Sequence, residues 1–311
     1  MGGGLFSDPR LTEWSELWRQ GRYEDFFQSL ETNLLAEQPS RHAPYVWAWA
    51  RDVREELGPS FEALDPAVRE RVRTIVHAYR LYKDDRDLEL LKNAEQFIAE
   101  QPNDFWLMMI LSWSAEAAAS PERGLEYALA AHRLAPEAYL PVWQMQHLAG
   151  GDLKVLSLLE DRVGDLDQQV AEFIRRWRDL RTEFGPSDDE LSALAWAHDA
   201  LKWLELHPAD PWALRLLGEA LGDLERFEQA SESFRRALGV FPFTGHRAAH
   251  TTALLRSGRD EDARRLVAMA EGRLAEVAAP TGALIASWAD MHRQEGNHGL
   301  ARALLDDAIN T

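Results

Sequence analysis

Apolar residues recur three and four positions apart along almost the whole chain, and no β-branched run alternates with period two. That spacing lays one apolar stripe on each of a series of helices, so the sequence predicts an all-α protein. Helix starts are marked where a capping oxygen precedes a proline at the first helical position: Asp65-Pro66, Ser120-Pro121 and Asp210-Pro211. Ser187-Asp188-Asp189-Glu190 adds a capping box after the break at Gly185-Pro186. This punctuation sets roughly 17 helices of about 12 to 18 residues, joined by short turns into antiparallel hairpins.

A longer period overlies the helical one. Phe97, Ala131, Trp203 and Ala237 each precede a proline by five positions, and those prolines (Pro102, Pro136, Pro208 and Pro242) stand 34, 72 and 34 residues apart. The spacing of 72 is two periods of 34 plus a slip of four, and a period of this size marks stacked hairpins. In the clearest unit, 211–244, Gly218 and Ala230 are small where helix axes approach. Leu221, Phe227 and Phe234 fill the space between helices, and Pro242 ends the second helix. With Ala237, these residues stand at the spacing that resembles the tetratricopeptide repeat family. Gly258, Ala263 and Ala270, then Gly296, Ala301 and Ala308, extend the resemblance to the C-terminus. Segments 71–104 and 105–138 follow it more loosely, with Leu90 and Gly124 at the first small position, and the pair around Trp14, Gly21, Tyr23 and Phe26 more loosely again. Altogether the motif covers about two thirds of the chain.

The resemblance implies an α-solenoid of the tetratricopeptide type that binds a partner protein or peptide on its concave surface, without catalysis and without a cofactor. The pattern is broken where Trp196 and Trp203 replace small residues, so that 177–210 is either a widened unit or an unrelated hairpin, and where 139–176 loses the period. The expected organisation is a flexible N-terminus (1–10), an N-terminal helical array (11–149), an irregular helical joint (150–187) and a C-terminal array (188–311).

In a stack of this kind the first helix of each hairpin lines the inner face. Tyr79 and Tyr82 (with Val72 and Ile75), Trp106, Met109 and Trp113, and Trp143 and His147 (with Leu140) then form one wide aromatic patch. Segment 105–111 is apolar all round, and a helix of that kind is covered on every side. Two occupants stay open. One is a partner helix or extended peptide anchored by the aromatic side chains; the other is the chain's own N-terminal helices, which carry Trp14, Trp18, Trp47 and Trp49. In the C-terminal array Trp212 and Arg215, with Arg256, His292 and Arg293, line a groove of small residues whose arginines could hold a carboxylate.

Composition narrows the function. A chain of 311 residues exceeds one ordinary core, which fits growth by repetition. At 46% hydrophobic and 28% charged it folds. The net charge of −18 repels phosphate, so no nucleic-acid partner is expected. Only Lys83, Lys92, Lys154 and Lys202 are lysines, an arginine bias that reads as a GC-rich, bacterial genome. The longest apolar run, Phe105 to Trp113, has nine residues, half of the roughly 18 a membrane span needs. The N-terminus lacks a signal-peptide core, so the expectation is a cytoplasmic protein without a membrane partner.

No cysteine is present, which removes disulfides, thiolate metal sites and a cysteine nucleophile. Phosphate-loop, dinucleotide, serine-elbow and zinc-protease motifs are missing. His246 and His250 are four apart but have no third ligand nearby, and a packed histidine is the better reading than a metal. Asp84, Asp85 and Asp87 read as helix caps and not as a calcium loop. The leading reading is an adaptor; a peptide-sensing receptor and a helical-toroid enzyme with dispersed catalytic residues are its rivals. Oligomeric state stays open.

Overall fold

The structure is a computed structural model that describes residues 5–53, 58–151, 168–184 and 189–241, and short pieces at 157–159, 161, 166, 250, 253–254, 256–259 and 262. Every regular element among the described residues is helical. The α-helices are α1 (Pro9–Arg19), α2 (Tyr23–Leu35), α3 (Ala43–Val53), α4 (Pro66–Lys83), α5 (Asp87–Lys92), α6 (Ala94–Glu100), α7 (Phe105–Ala117), α8 (Pro121–Leu134), α9 (Tyr139–Gly151), α10 (Gln168–Phe184), α11 (Asp189–Leu206), α12 (Pro211–Asp223) and α13 (Phe227–Val240). No helix among the described residues is long and apolar enough to cross a membrane.

Two of the three cap-proline starts are capped as the sequence places them, and Ser187 and Asp188 of the expected capping box lie outside the described residues. Asp65 accepts from the Ala67 N–H at 2.8 Å, and Asp210 accepts from the Trp212 and Ala213 N–H groups at 2.9 and 3.0 Å. Pro121 opens α8, but Ser120 makes no side-chain cap. Asp210 does more than cap the start of α12. Its second oxygen receives the Tyr139 N–H at 2.8 Å and the Trp203 indole N–H at 3.3 Å, so one buried carboxylate ties the starts of α9 and α12 to the end of α11.

One turn recurs between helices. Gly21, Asp85, Ala119, Glu225 and Gly258 all have left-handed backbone, with φ from 52° to 71°. In each case the next N–H reaches back five residues: Arg22 to Leu17, Arg86 to Leu81, Ser120 to Ala115, Arg226 to Leu221 and Arg259 to Leu254. This is the Schellman closure, which satisfies the orphan carbonyls of a helix end and reverses the chain. Asp85 and Ala119 are 34 residues apart, and Glu225 and Gly258 are 33 apart. The arginine after the left-handed residue also pairs with a carboxylate three positions on, in Arg22–Asp25, Arg86–Glu89 and Arg259–Asp262. Three of the five left-handed positions carry a side chain that resists this conformation. Ala119→Gly is therefore expected to stabilise the protein by about 1 kcal/mol, read as a higher urea midpoint with unchanged slope; an unchanged midpoint would mean the turn is not left-handed.

Helix axes come close where small residues were expected. A Cβ at Gly218 would meet the Phe234 ring at 2.8 Å, across the α12–α13 hairpin, and Ala230 and Ala237 are fully buried. A Cβ at Gly124 would lie 3.2 Å from Leu148 and from the Ser112 carbonyl, between α7, α8 and α9.

Two of the expected segments contain regular structure among the described residues. Within the flexible start expected over 1–10, Leu5–Ser7 form a 3₁₀ turn, Leu5 and Phe6 are buried, and Asp8 caps α1 through the Arg10 N–H with Pro9 at the first position. The joint drawn over 150–187 contains α10, 17 residues of regular helix that bury Val170, Phe173 and Ile174 and pack on α9 and α11. The repeat expected beyond Gly258, including His292, Arg293 and Gly296, lies outside the described residues.

Candidate functional site

The first helices of the hairpins lie side by side: α4 touches α7, α7 touches α9, and α9 touches α12. The nine aromatic, Met, His and Arg positions expected to line them do not share one environment. The patch divides along α7.

At the N-terminal end of α7 the patch is core. Trp106 and Met109 have no exposed surface and Tyr79 has 6%. Tyr45 of α3 stacks on one face of Trp106, with centroids 3.9 Å apart and planes 7° apart. Phe241, just past α13, stacks on the other at 5.7 Å and 9°. The Trp106 indole N–H donates to His42 Nδ1 at 3.1 Å. The His42 ring stacks under Phe6 and its Nε2 lies 2.7 Å from the Leu5 carbonyl. Trp106, Met109 and Tyr79 are thus corrected from partner-binding residues to interior ones. A helix that is apolar all round needs cover, and α3, the N-terminal turn and the end of α13 supply it from within the chain.

At the C-terminal end of the same helices the surface is open. Tyr82 and Trp113 are half-buried, with ring centroids 6.0 Å apart. Trp143 is half-buried and His147 exposed; their rings stack at 5.3 Å. Between these two pairs sits Glu116. It accepts from Gln144 Nε2 at 2.9 Å and pairs with His147 Nε2 at 2.8 Å. The hydrogen bond to Glu116 holds His147 above its ordinary pKa, and the same bond holds Glu116 below its own. On α12, Trp212 is almost covered and the Arg215 guanidinium lies over its ring at 5.7 Å while donating to Glu219 at 2.7 Å. Arg215 already serves a carboxylate of its own chain. Arg256 is exposed, and Arg293 lies outside the described residues.

Glu116 and Gln144 escaped the sequence reading because it followed apolar periodicity. Glu116 is three residues after Trp113 and Gln144 one after Trp143, so helical spacing alone places the carboxylate beside the aromatic row.

A second polar cluster joins α9, α10 and α11. Arg176 pairs with the buried Asp199 at 2.7 Å and touches His198; Gln146 donates to Asp199 at 3.4 Å. Burial pushes the Asp199 carboxyl up to about 7, against the pull of Arg176. The Arg176 ion pair offsets the burial of the Asp199 charge, as a buried carboxylate needs. His250 is also engaged, with Nε2 3.1 Å from Ser231 Oγ, while His246 lies outside the described residues. Asp84 is the C-cap of α4 and Asp85 the left-handed residue after it. Among the described residues no cluster of three or more His, Asp or Glu side chains is placed to hold a metal.

No protein-family model matches this chain, and no curated protein matches it in sequence.

Proposed function

We propose that the chain is a tetratricopeptide-like adaptor of the cytoplasm, whose hairpins stack as a superhelix and bind a partner protein or peptide, without catalysis. The recurrent left-handed turn at intervals of 34 and 33 residues and the close approach at Gly218 support the repeat. The observation that carries the binding role is the half-exposed aromatic row Tyr82, Trp113 and Trp143, which crosses α4, α7 and α9 beside Glu116 and His147. Rigid aromatic side chains that stay partly open present large apolar area at low entropic cost, which is the composition of binding hot spots. The contact of α1 with α13 brings the first and last described helices together, and this favours a short-peptide sensor as the second reading.

The test is an alanine variant in the row. Trp113→Ala is expected to weaken the partner captured from source lysate by about 2 kcal/mol or more, roughly 30-fold in Kd, with little change in unfolding midpoint. A Trp113→Ala protein that binds as the wild type does, or that loses stability in place of affinity, removes the row as a binding surface.

A further inference from the structure

Resting on the proposed binding role of the row, its chemistry can be read one step further. Tyr82 and Trp113 face each other at 6.0 Å with their planes 35° apart, leaving both rings partly open to solvent. Three carboxylates act on Tyr82 from three places in the fold, two of them placed on the Trp113 turn of α7: Glu116 by its position and Asp87 through the Ser114 hydroxyl. Asp85 occupies the left-handed turn after α4, Asp87 opens α5, and Glu116 is in the last turn of α7. All three act on the Tyr82 hydroxyl, which burial first and then these charges hold above its ordinary range. Asp87 is fixed by the Ser114 hydroxyl, and Glu116 by Gln144 and His147. The cations beside these carboxylates are already engaged: Lys83 faces Asp52 at 3.6 Å, Arg86 pairs with Glu89, and His147 pairs with Glu116.

Open aromatic faces ringed by negative charge attract a cation twice over, through the ring quadrupole and through the carboxylates. A neutral apolar guest would strip water from the carboxylates and return nothing to them. An acidic guest would be repelled, both locally and by the chain's net charge of −18. We propose that the Tyr82–Trp113 end of the row receives an arginine or lysine side chain of the bound peptide. Arginine fits best, because its guanidinium can stack on Trp113 while donating to a carboxylate.

Two labelled 12-residue peptides serve as probes, one alternating arginine with leucine and one alternating glutamate with leucine. Their binding to the full chain is followed by fluorescence anisotropy. The arginine peptide is expected to bind and the glutamate peptide not. Asp85→Asn/Glu116→Gln, which keeps the turn and one of the two acceptor oxygens of Glu116, is expected to raise the arginine peptide's Kd at least about tenfold. Glu126→Gln/Glu228→Gln removes the same charge from the exposed faces of α8 and α13 and is expected to raise it less than about twofold. Equal losses in the two variants would reduce the effect to bulk charge and overturn the proposal, as would preference for the glutamate peptide or failure of both probes to bind. If the preferred probe is the glutamate peptide yet Trp113→Ala still abolishes its binding, the cation proposal falls and the row stands. If neither the probes nor the captured partner respond to Trp113→Ala, both fall.

Discussion

Replacing Trp106 by alanine is expected to lower the free energy of unfolding by about 3 to 5 kcal/mol, at the upper end of single-residue effects. The indole is fully buried between Tyr45 and Phe241, so truncation opens a slot between two parallel rings and forfeits both stacking contacts. It also leaves His42 Nδ1, an acceptor in a dry site, without its donor. Trp106→Phe retains an aromatic ring between its neighbours and loses the hydrogen bond, so its cost should be clearly smaller. Urea unfolding of the two variants measures the difference. A loss below about 1 kcal/mol for Trp106→Ala would reverse the assignment and return this end of α7 to the binding surface. The contrast with Trp113, seven residues along the same helix, is what separates core from interface.

How far the sequence reveals this division depends on the range of the interactions. Local signals are legible: the Asp-Pro caps at Asp65 and Asp210, the small residue at Gly218, and the need of segment 105–111 for cover. The sequence offers the N-terminal helices as one of two covers, and α3 is among them, but it cannot choose between the two or name Tyr45 and Phe241, which lie far from Trp106 along the chain where periodicity carries no information. Phe6 illustrates the same point. The three glycines before Leu5 suggest a loose end, yet Asp8-Pro9 repeats the cap signature of Asp65-Pro66 and announces a helix. In α10 the spacing of Val170, Phe173 and Ile174 is helical, which the expected helical joint allows, but the 34-residue period does not reach it and so gives no bounds for the helix. The strongest structural repeat was also in plain view. Gly21-Arg22, Asp85-Arg86, Glu225-Arg226 and Gly258-Arg259 each pair a turn residue with arginine, but glycine fills only two of the four turn positions, so a search for glycine alone misses the rest. On the open surface, Glu116 and Gln144 matter for their charge and hydrogen bonding, which an apolar stripe cannot display.

The His42 junction should make the fold acid-sensitive, in a direction set by its hydrogen bonds. An indole N–H can only donate, so His42 Nδ1 accepts from Trp106 and Nε2 must carry the proton given to the Leu5 carbonyl. The ring is therefore neutral in the folded protein. Burial is the main cause of its pKa falling from 6.5 to about 4, reinforced by Arg41 and Arg10 and opposed by the Leu5 carbonyl and Asp8. In the unfolded chain the same ring takes up its proton near pH 6.5. Below that pH the unfolded state binds more protons than the folded one, so the contribution to stability is full above about pH 6.5 and is lost as pH falls towards about 4. Over that window the loss amounts to about 3 kcal/mol. Asp199 and Asp210, both raised by burial, act in the opposite sense, and His250 in the same one. All three are common to wild type and to His42→Gln, whose amide can accept from Trp106 and donate to Leu5 without titrating. Urea unfolding of the two proteins from pH 7.5 to 4 should show the wild type losing about 3 kcal/mol relative to the variant, with most of the change below pH ~6.5. A difference that stays flat across this range would mean that His42 is not held neutral, and with it would go the hydrogen-bonded closure of Leu5, His42 and Trp106.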